Sequence, residues 1–302
     1  MQYLCTENKC TIMLWLKIIR PQTLFASLCP VAVALAVTSS ATGYGLQATG
    51  IVVAIATALC ALSLQILSNL INDYYDYRRG TDKKGRVGFK RALAEGLVTE
   101  KQMRWACFVT LALCVALGLF LVIMGGWVIL AIGVTAILFA WLYTATNHSL
   151  SYLGIADIFV FLYYGIIAGF GTMWLQDPVW HGAAYYLPVL AATGVNGLIS
   201  MCVLIINNLR DIKDDTEAGK RTFPVRFGKQ AGEIGMLIII LLMPILAWFA
   251  FRHWLPLLVI VPAIALYIKT KRAQGQTYNH CLLMAGLINV FYTILVTITV
   301  FL

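Results

Sequence analysis

The sequence predicts an all-α, polytopic membrane protein: one domain over residues 1–302, with nine transmembrane helices. Three observations predict it. The chain is 61% hydrophobic and only 12% charged, whereas soluble domains carry about 25% charged residues. Its apolar residues gather into segments near the length of about 20 residues that a bilayer crossing requires. Its basic residues fall between those segments in a one-sided pattern.

Residues 12–19 mix apolar side chains with Trp15 and Lys17, which suits a short helix lying in the membrane interface. The spanning segments follow as Leu24–Thr42, Ile51–Leu70, Trp105–Met124, Trp127–Tyr143, Leu153–Leu175, Tyr186–Ile206, Gly235–Phe251, Leu255–Ile268 and Cys281–Leu302. The fourth, seventh and eighth are short. With nine crossings, every Lys and Arg except Arg252 lies on one face. Basic loops stay cytoplasmic. The expected location is therefore the cytoplasmic (inner) membrane, with the N-terminus and the loops 71–104 and 207–233 inside and the C-terminus outside. Those two loops follow the second and sixth segments, which run in the same direction. Two parallel halves are the arrangement this suggests.

The net charge of +9 points to anionic lipid and anionic substrates. Nucleic acid is not an expected partner, because so apolar a chain offers a duplex little polar surface. The eight cysteines have no CxxC spacing and sit mostly in apolar runs. They read as buried thiols that pack as small apolar groups.

Chemistry concentrates in the two large basic loops. The first begins SNLINDYYDYRRGTD, with Asn72 and Asp76 one helical turn apart, Asp73 beside them and Asp82 after Gly80. The second begins NNLRDIKDDTEAGKRT, where Asn207, Asp211 and Asp215 recur at four-residue spacing and Asp214 lies off that face. These aspartates stand at helix C-termini, which already carry partial negative charge. Carboxylates gathered there call for a cation. Hard oxygen ligands from two loops suit Mg²⁺, with substrate phosphate oxygens completing its shell. The expected ligands are Asp73, Asp76, Asp82, Asp211 and Asp215. Asn72 and Asn207 are expected to bind substrate, and Arg91, Lys220 and Arg221 to neutralise the remaining phosphate charge. Two such clusters on one side argue against mere solvated loop charges.

These motifs resemble the two signatures of the UbiA superfamily of intramembrane aromatic prenyltransferases, and the resemblance covers nearly the whole chain. The spacing of Asn72, Asp76 and Asp82 is similar to the branch that prenylates 1,4-dihydroxy-2-naphthoate. In the 4-hydroxybenzoate branch a third aspartate would stand where this chain has Gly80. The stretches Arg20–Thr23 and Ser151–Gly165 are also similar to the naphthoate branch. TNHSL at Thr146–Leu150 departs from it, since related sequences often carry a basic, Pro-containing turn there. The resemblance implies nine helices and an Mg²⁺-dependent reaction. Polyprenyl diphosphate ionises, the allylic cation attacks the ring carbon bearing the carboxylate, and carbon dioxide and a proton leave. Arg91 and Lys220 would assist the leaving group. Tyr74, Tyr75, Tyr163 and Tyr164 offer aromatic faces to the cation, or serve packing and interfacial anchoring. Asp157, near the start of the fifth segment, either acts on an acceptor hydroxyl or pairs with a basic group such as Arg20.

Other polar or small residues read as structural. Gln65, Asn196 and Asn289 suit hydrogen bonds between helices. Gly165, Gly169 and Gly171 suit close helix contact. Trp127, Trp174, Trp180 and Trp254 suit an aromatic belt. Three alternatives remain: another aromatic acceptor such as 4-hydroxybenzoate, a transporter, and a non-catalytic prenyl-lipid binder. A transporter would place its ionisable residues at the midplane, where this sequence has almost none.

Overall fold

A computed structural model describes residues 13–42, 48–80, 91–143, 150 and 154–302. Among these residues the structure is helical, with no strand. Residues 13–19 form a short helix whose Ile18 is buried against Leu70, Tyr74 and Met103. It therefore packs on the bundle as well as suiting an interface. The long helices are α1 (Pro21–Thr42), α2 (Ala48–Arg78), α3 (Glu100–Leu142), α4 (Ala156–Gln176) and α5 (Ala183–Arg210). Two short helices follow, Ile212–Glu217 and Phe223–Phe227. Then come α6 (Lys229–Phe251), a 3₁₀ turn at Leu255–Val259 leading into α7 (Ile260–Lys271), and α8 (Thr277–Phe301).

Among the described residues, seven helices are long and apolar enough to cross a membrane: α1 to α6 and α8. The expected third and fourth segments run together as α3, and the expected eighth is the shorter α7. The long α3 has a local cause for its length and a local break. Thr99 and Gln102 form a capping box at its start. At Gly126 the backbone turns to φ 70°, ψ −155°, which glycine adopts without steric cost. The adjacent Gly125 carbonyl accepts a hydrogen bond from Trp174 Nε1 at 2.8 Å. Trp174 is thus a partly buried partner of this break and not, as expected, a belt residue. Trp127, Trp180 and Trp254 are exposed, as a belt requires.

Both ends of α3 return to the same end of α2. Met103 is buried with Leu70 and Tyr74, and Trp141 Nε1 donates to the Tyr75 hydroxyl at 3.3 Å. A straight helix of 43 residues would be about 65 Å long. These contacts require α3 to double back at Gly126.

Packing is unequal across the bundle. In the most apolar stretch of α5, 78% of residues are buried, against 11% in α3. Small residues of α5, among them Ala191, Ala192, Gly194 and Gly197, let α4, α6 and α8 approach closely. A Cβ on Gly165 would lie 3.1 Å from the Gly197 Cα, and one on Gly169 would collide with Thr193. Asn196 Nδ2 donates to Asn289 Oδ1 at 2.7 Å inside this core, joining α5 to α8 as expected. All six described cysteines are free thiols.

Candidate active site

The C-terminal ends of α2 and α5 lie together at one end of the bundle. Asp73, Asp76, Asp211 and Asp215 are all buried there. The α-helical hydrogen bonds run almost unbroken through the second cluster, from Asp211 N to Asn207 O at 3.1 Å and from Asp215 N to Asp211 O at 2.8 Å. This keeps Asn207, Asp211 and Asp215 in register and leaves Asp214 exposed.

Lys220 joins the two clusters. Its Nζ lies 3.6 Å from Asp76 Oδ2 and 3.6 Å from Asp215 Oδ1. Asp73 forms ion pairs with Arg20 and Arg91. Arg20 reaches it from a left-handed backbone conformation, φ 58°, just before Pro21. For a non-glycine residue that conformation is strained, as at many functional sites. Asp211 accepts two bonds of 2.8 Å from the neighbouring Arg210, which also donates to Asn279 at 2.9 Å.

A cavity of about 310 Å³ lies beneath this cluster, between α1, α2, both limbs of α3 and α4. Its lining is almost wholly apolar, from Ser68 and Gln65 near the acidic end to Thr57, Leu121 and Leu175 at depth. Ser68 stands about 12 Å along α2 from Asp76, and Thr57 about 17 Å further, at 1.5 Å per residue. Phe139 stacks on Tyr163 at 4.6 Å in the wall. A second, small space of about 40 Å³ is lined by Arg20, Gln22, Thr23, Arg91, Asn207 and Arg210, with apolar Val203 and Leu282 completing it.

The UbiA prenyltransferase family matches residues 24–298. The chain belongs to that family. It is 33% identical over 235 residues to the 1,4-dihydroxy-2-naphthoate octaprenyltransferase of Haemophilus influenzae, covering 75% of this chain and 73% of the relative. It is 36% identical over 225 residues to the enzyme of the same name from Escherichia coli, covering 71% and 68%. The fold is that of a UbiA homologue from Archaeoglobus fulgidus bound to DMAPP and Mg²⁺, with a TM-score of 0.63 at 18% identity over 95% of this chain and 99% of that one. The protein is thus a multi-pass, helical membrane prenyltransferase.

Within this UbiA-family bundle, several expected site residues converge and others do not. Asp73, Asp76, Asp211, Asp215, Arg91 and Lys220 share the acidic end, and Asn207 lines the small polar space. Asn72 Oδ1 is buried with no hydrogen-bond partner among the described residues. Asp82 lies outside the described residues. Arg221 has an exposed side chain. Its backbone carbonyl packs on Gly154, where an added Cβ would stand 2.2 Å from that oxygen. The start of α4 is thereby tied to the second loop. Tyr163 and Tyr164 line the apolar cavity, whereas Tyr74 and Tyr75 stack edge to face outside its lining.

Asp157 sits in the first turn of α4 with Oδ1 buried and no hydrogen-bond partner among the described residues. Arg20, its suggested partner, holds Asp73 instead. Tyr143, just past α3, stands beside this site, with Phe139 packed on its ring at 5.9 Å and on Tyr163 at 4.6 Å in the cavity wall. Sequence reasoning missed Tyr143. It also treated Gln65 only as interhelical and passed over Asn69. The signal for Gln65 and Asn69 was a polar stripe at four-residue spacing, Gln65–Asn69–Asp73, on an otherwise apolar helix.

The cluster fits a divalent cation. The Lys220 ammonium stands between carboxylates of both loops, where like charges at two helix ends need a cation. Among the described residues no three His, Cys, Asp or Glu side chains close a complete site. Mg²⁺ needs only one or two carboxylates when substrate phosphates and water supply its other ligands.

Proposed function

We propose that this protein transfers a polyprenyl group from polyprenyl diphosphate to 1,4-dihydroxy-2-naphthoate with decarboxylation, as the names of its relatives indicate, making the prenylated precursor of menaquinone. The observation that carries this reading is the Lys220 bridge between two acidic helix ends above an apolar cavity. That arrangement suits a ligand with an anionic head and an apolar tail.

Asp76 and Asp215 stand at the centre of the proposed Mg²⁺ site, with Asp73, Asp82 and Asp211 completing the set. Bound there, Mg²⁺ would neutralise charge on the departing diphosphate. Lys220, Arg91 and Arg221 supply further positive charge, and Asn72 and Asn207 donate or accept hydrogen bonds at the head group. The arginine-lined space suits the acceptor's carboxylate, and Asp157, with its Oδ1 buried and without a hydrogen bond, would take or orient an acceptor hydroxyl proton. The electron pair of the breaking C–O bond leaves with diphosphate. The ring carbon bearing the carboxylate forms the new C–C bond, and carbon dioxide departs, leaving its bonding pair in the ring. Apolar walls keep water from the cation.

Nine crossings are the proposed topology. The break in α3 supports two crossings there. The apolar helix α7, packed on both α6 and α8, supports one through residues 255–271. The acidic end then faces the cytoplasm of the inner membrane, with the basic loops.

Purified protein, Mg²⁺, a polyprenyl diphosphate and a panel of aromatic acids test the reading. Carbon dioxide should be released in equal amount to prenylated product, with 1,4-dihydroxy-2-naphthoate preferred. A product that keeps its carboxylate would assign another acceptor.

A further inference from the structure

The apolar cavity and the arginine-lined space are separate, yet one hydrogen-bond chain runs from wall to wall. Tyr164 and Gln65 line the first; Thr23 lines the second. The Tyr164 hydroxyl donates to Gln65 Oε1. Gln65 Nε2 donates to Thr23 Oγ1 at 3.3 Å and to Asn69 Oδ1 at 3.4 Å. Asn69 Nδ2 donates to the Ile19 carbonyl and to Thr23 Oγ1, each at 3.0 Å. Thr23 in turn donates to the Arg20 carbonyl at 2.9 Å.

Every proton in this chain has a direction. Thr23 spends its only hydroxyl proton on a backbone carbonyl, so it accepts from both amides. Asn69 then turns its oxygen to Gln65, which must present Nε2 to Thr23 and Asn69 and Oε1 to Tyr164. Tyr164 is left as donor, keeping its oxygen lone pairs for the cavity it lines. The backbone supports the same placement. Tyr164 lies in a π-helical turn, Leu162–Ile167, a rare feature frequent at functional sites. The turn carries both Tyr163 and Tyr164 into the cavity wall.

Resting on the prenyl-transfer reading above, we propose that Gln65 is a positioning residue for the reaction. It acts through Tyr164, holding the phenol oxygen in the wall of the apolar cavity, against the allylic carbon. As the C–O bond breaks, positive charge develops on that carbon. A fixed oxygen dipole and a ring face stabilise it without reorganising. Neither residue gains or loses a proton. A role as interhelical glue would make the same bonds but place no demand on the Tyr164 oxygen.

The test is a double-mutant cycle on the full-length protein with Tyr164→Phe, Gln65→Leu and the pair. Each single change should lower kcat roughly tenfold to a hundredfold, less than the loss of about 10²–10³ for a charge-stabilising donor. KM for the prenyl diphosphate should stay within about threefold, and the double variant should be no worse than the poorer single. Multiplied losses in the double variant would overturn the proposal. So would wild-type kcat in Tyr164→Phe, a variant that removes one hydroxyl and tests the idea even if Gln65→Leu fails to fold. Wild-type turnover is the control. Its absence would overturn the prenyl-transfer reading and this proposal together, whereas wild-type turnover with an unaffected Tyr164→Phe would overturn this proposal alone.

Discussion

The acidic ends of α2 and α5 are built on the same plan with different attachments. Each carries one aspartate gripped by arginine and one turned to Lys220. On α2, Asp73 is held by Arg20 and Arg91, which arrive from distant parts of the chain. On α5, Asp211 is held by its own neighbour Arg210. Asp76 and Asp215 meet across Lys220. The first end is therefore assembled by tertiary contacts, and its outer residues tie the N-terminal segment and the 91–99 stretch to α2. The second is prepared locally, on the most buried helix of the bundle. We propose a division of labour, in which Asp73 and Asp211, at the edge of the proposed Mg²⁺ site, mainly hold the two ends in place, while Asp76 and Asp215 stand at its centre.

Substitutions can break that division. The largest effect is expected at its centre. Asp76→Ala and Asp215→Ala should each lower kcat by about 10²–10³-fold, as for a lost electrostatic stabiliser. Chelation of divalent metal should abolish turnover in the wild type. Steady-state rates with and without EDTA check this, and near-normal turnover in either variant would remove that residue from the site. Melting temperature should change little in Asp76→Ala, because Lys220 keeps Asp215.

Asp211→Ala should behave differently. It leaves Arg210, whose side chain is only 4% exposed, without its carboxylate. Breaking a buried pair costs about 3–5 kcal/mol. A marked fall in thermal midpoint in detergent is expected, and an unchanged midpoint would show that Asp211 is not a holding residue. Lys220→Met should be intermediate, weakening donor affinity and turnover by roughly tenfold, since one cationic donor to phosphate is lost while metal ligands remain. Substrate titration separates KM from kcat there.

The smallest effect concerns the seam between α4 and the second loop. Gly154 and Gly219 both have φ 71°, but only Gly154 has a neighbour, the Arg221 carbonyl, where a Cβ would stand. Gly219→Ala should cost about 1–2 kcal/mol for the left-handed backbone. Gly154→Ala should cost more, because the carbonyl must also move. Equal thermal shifts in the two variants would show that the seam yields easily.

Several features were legible in order along the chain. The hydropathy segments located every long helix, and the four-residue spacing of Asn207, Asp211 and Asp215 survives in the structure because helical hydrogen bonds continue past Arg210. The fusion of two expected segments into α3 was not legible, since Gly125-Gly126 reads equally as a loop or as a break held by Trp174. The surroundings of Tyr75 were not legible for a similar reason. Its aromatic face is visible in sequence, but its stacking on Tyr74 and its bond to Trp141 depend on how α3 returns to α2.

Composition and spacing by themselves determined a helical membrane protein with two carboxylate clusters on one face, because bilayer solvation and helical periodicity act locally along the chain. Only the tertiary structure decided which carboxylates meet a cation, which are clamped by arginine, and that Gln65 joins two cavities. Those outcomes depend on distances between residues far apart in sequence, such as Arg20 to Asp73 and Gln65 to Tyr164, and no local rule of spacing contains them.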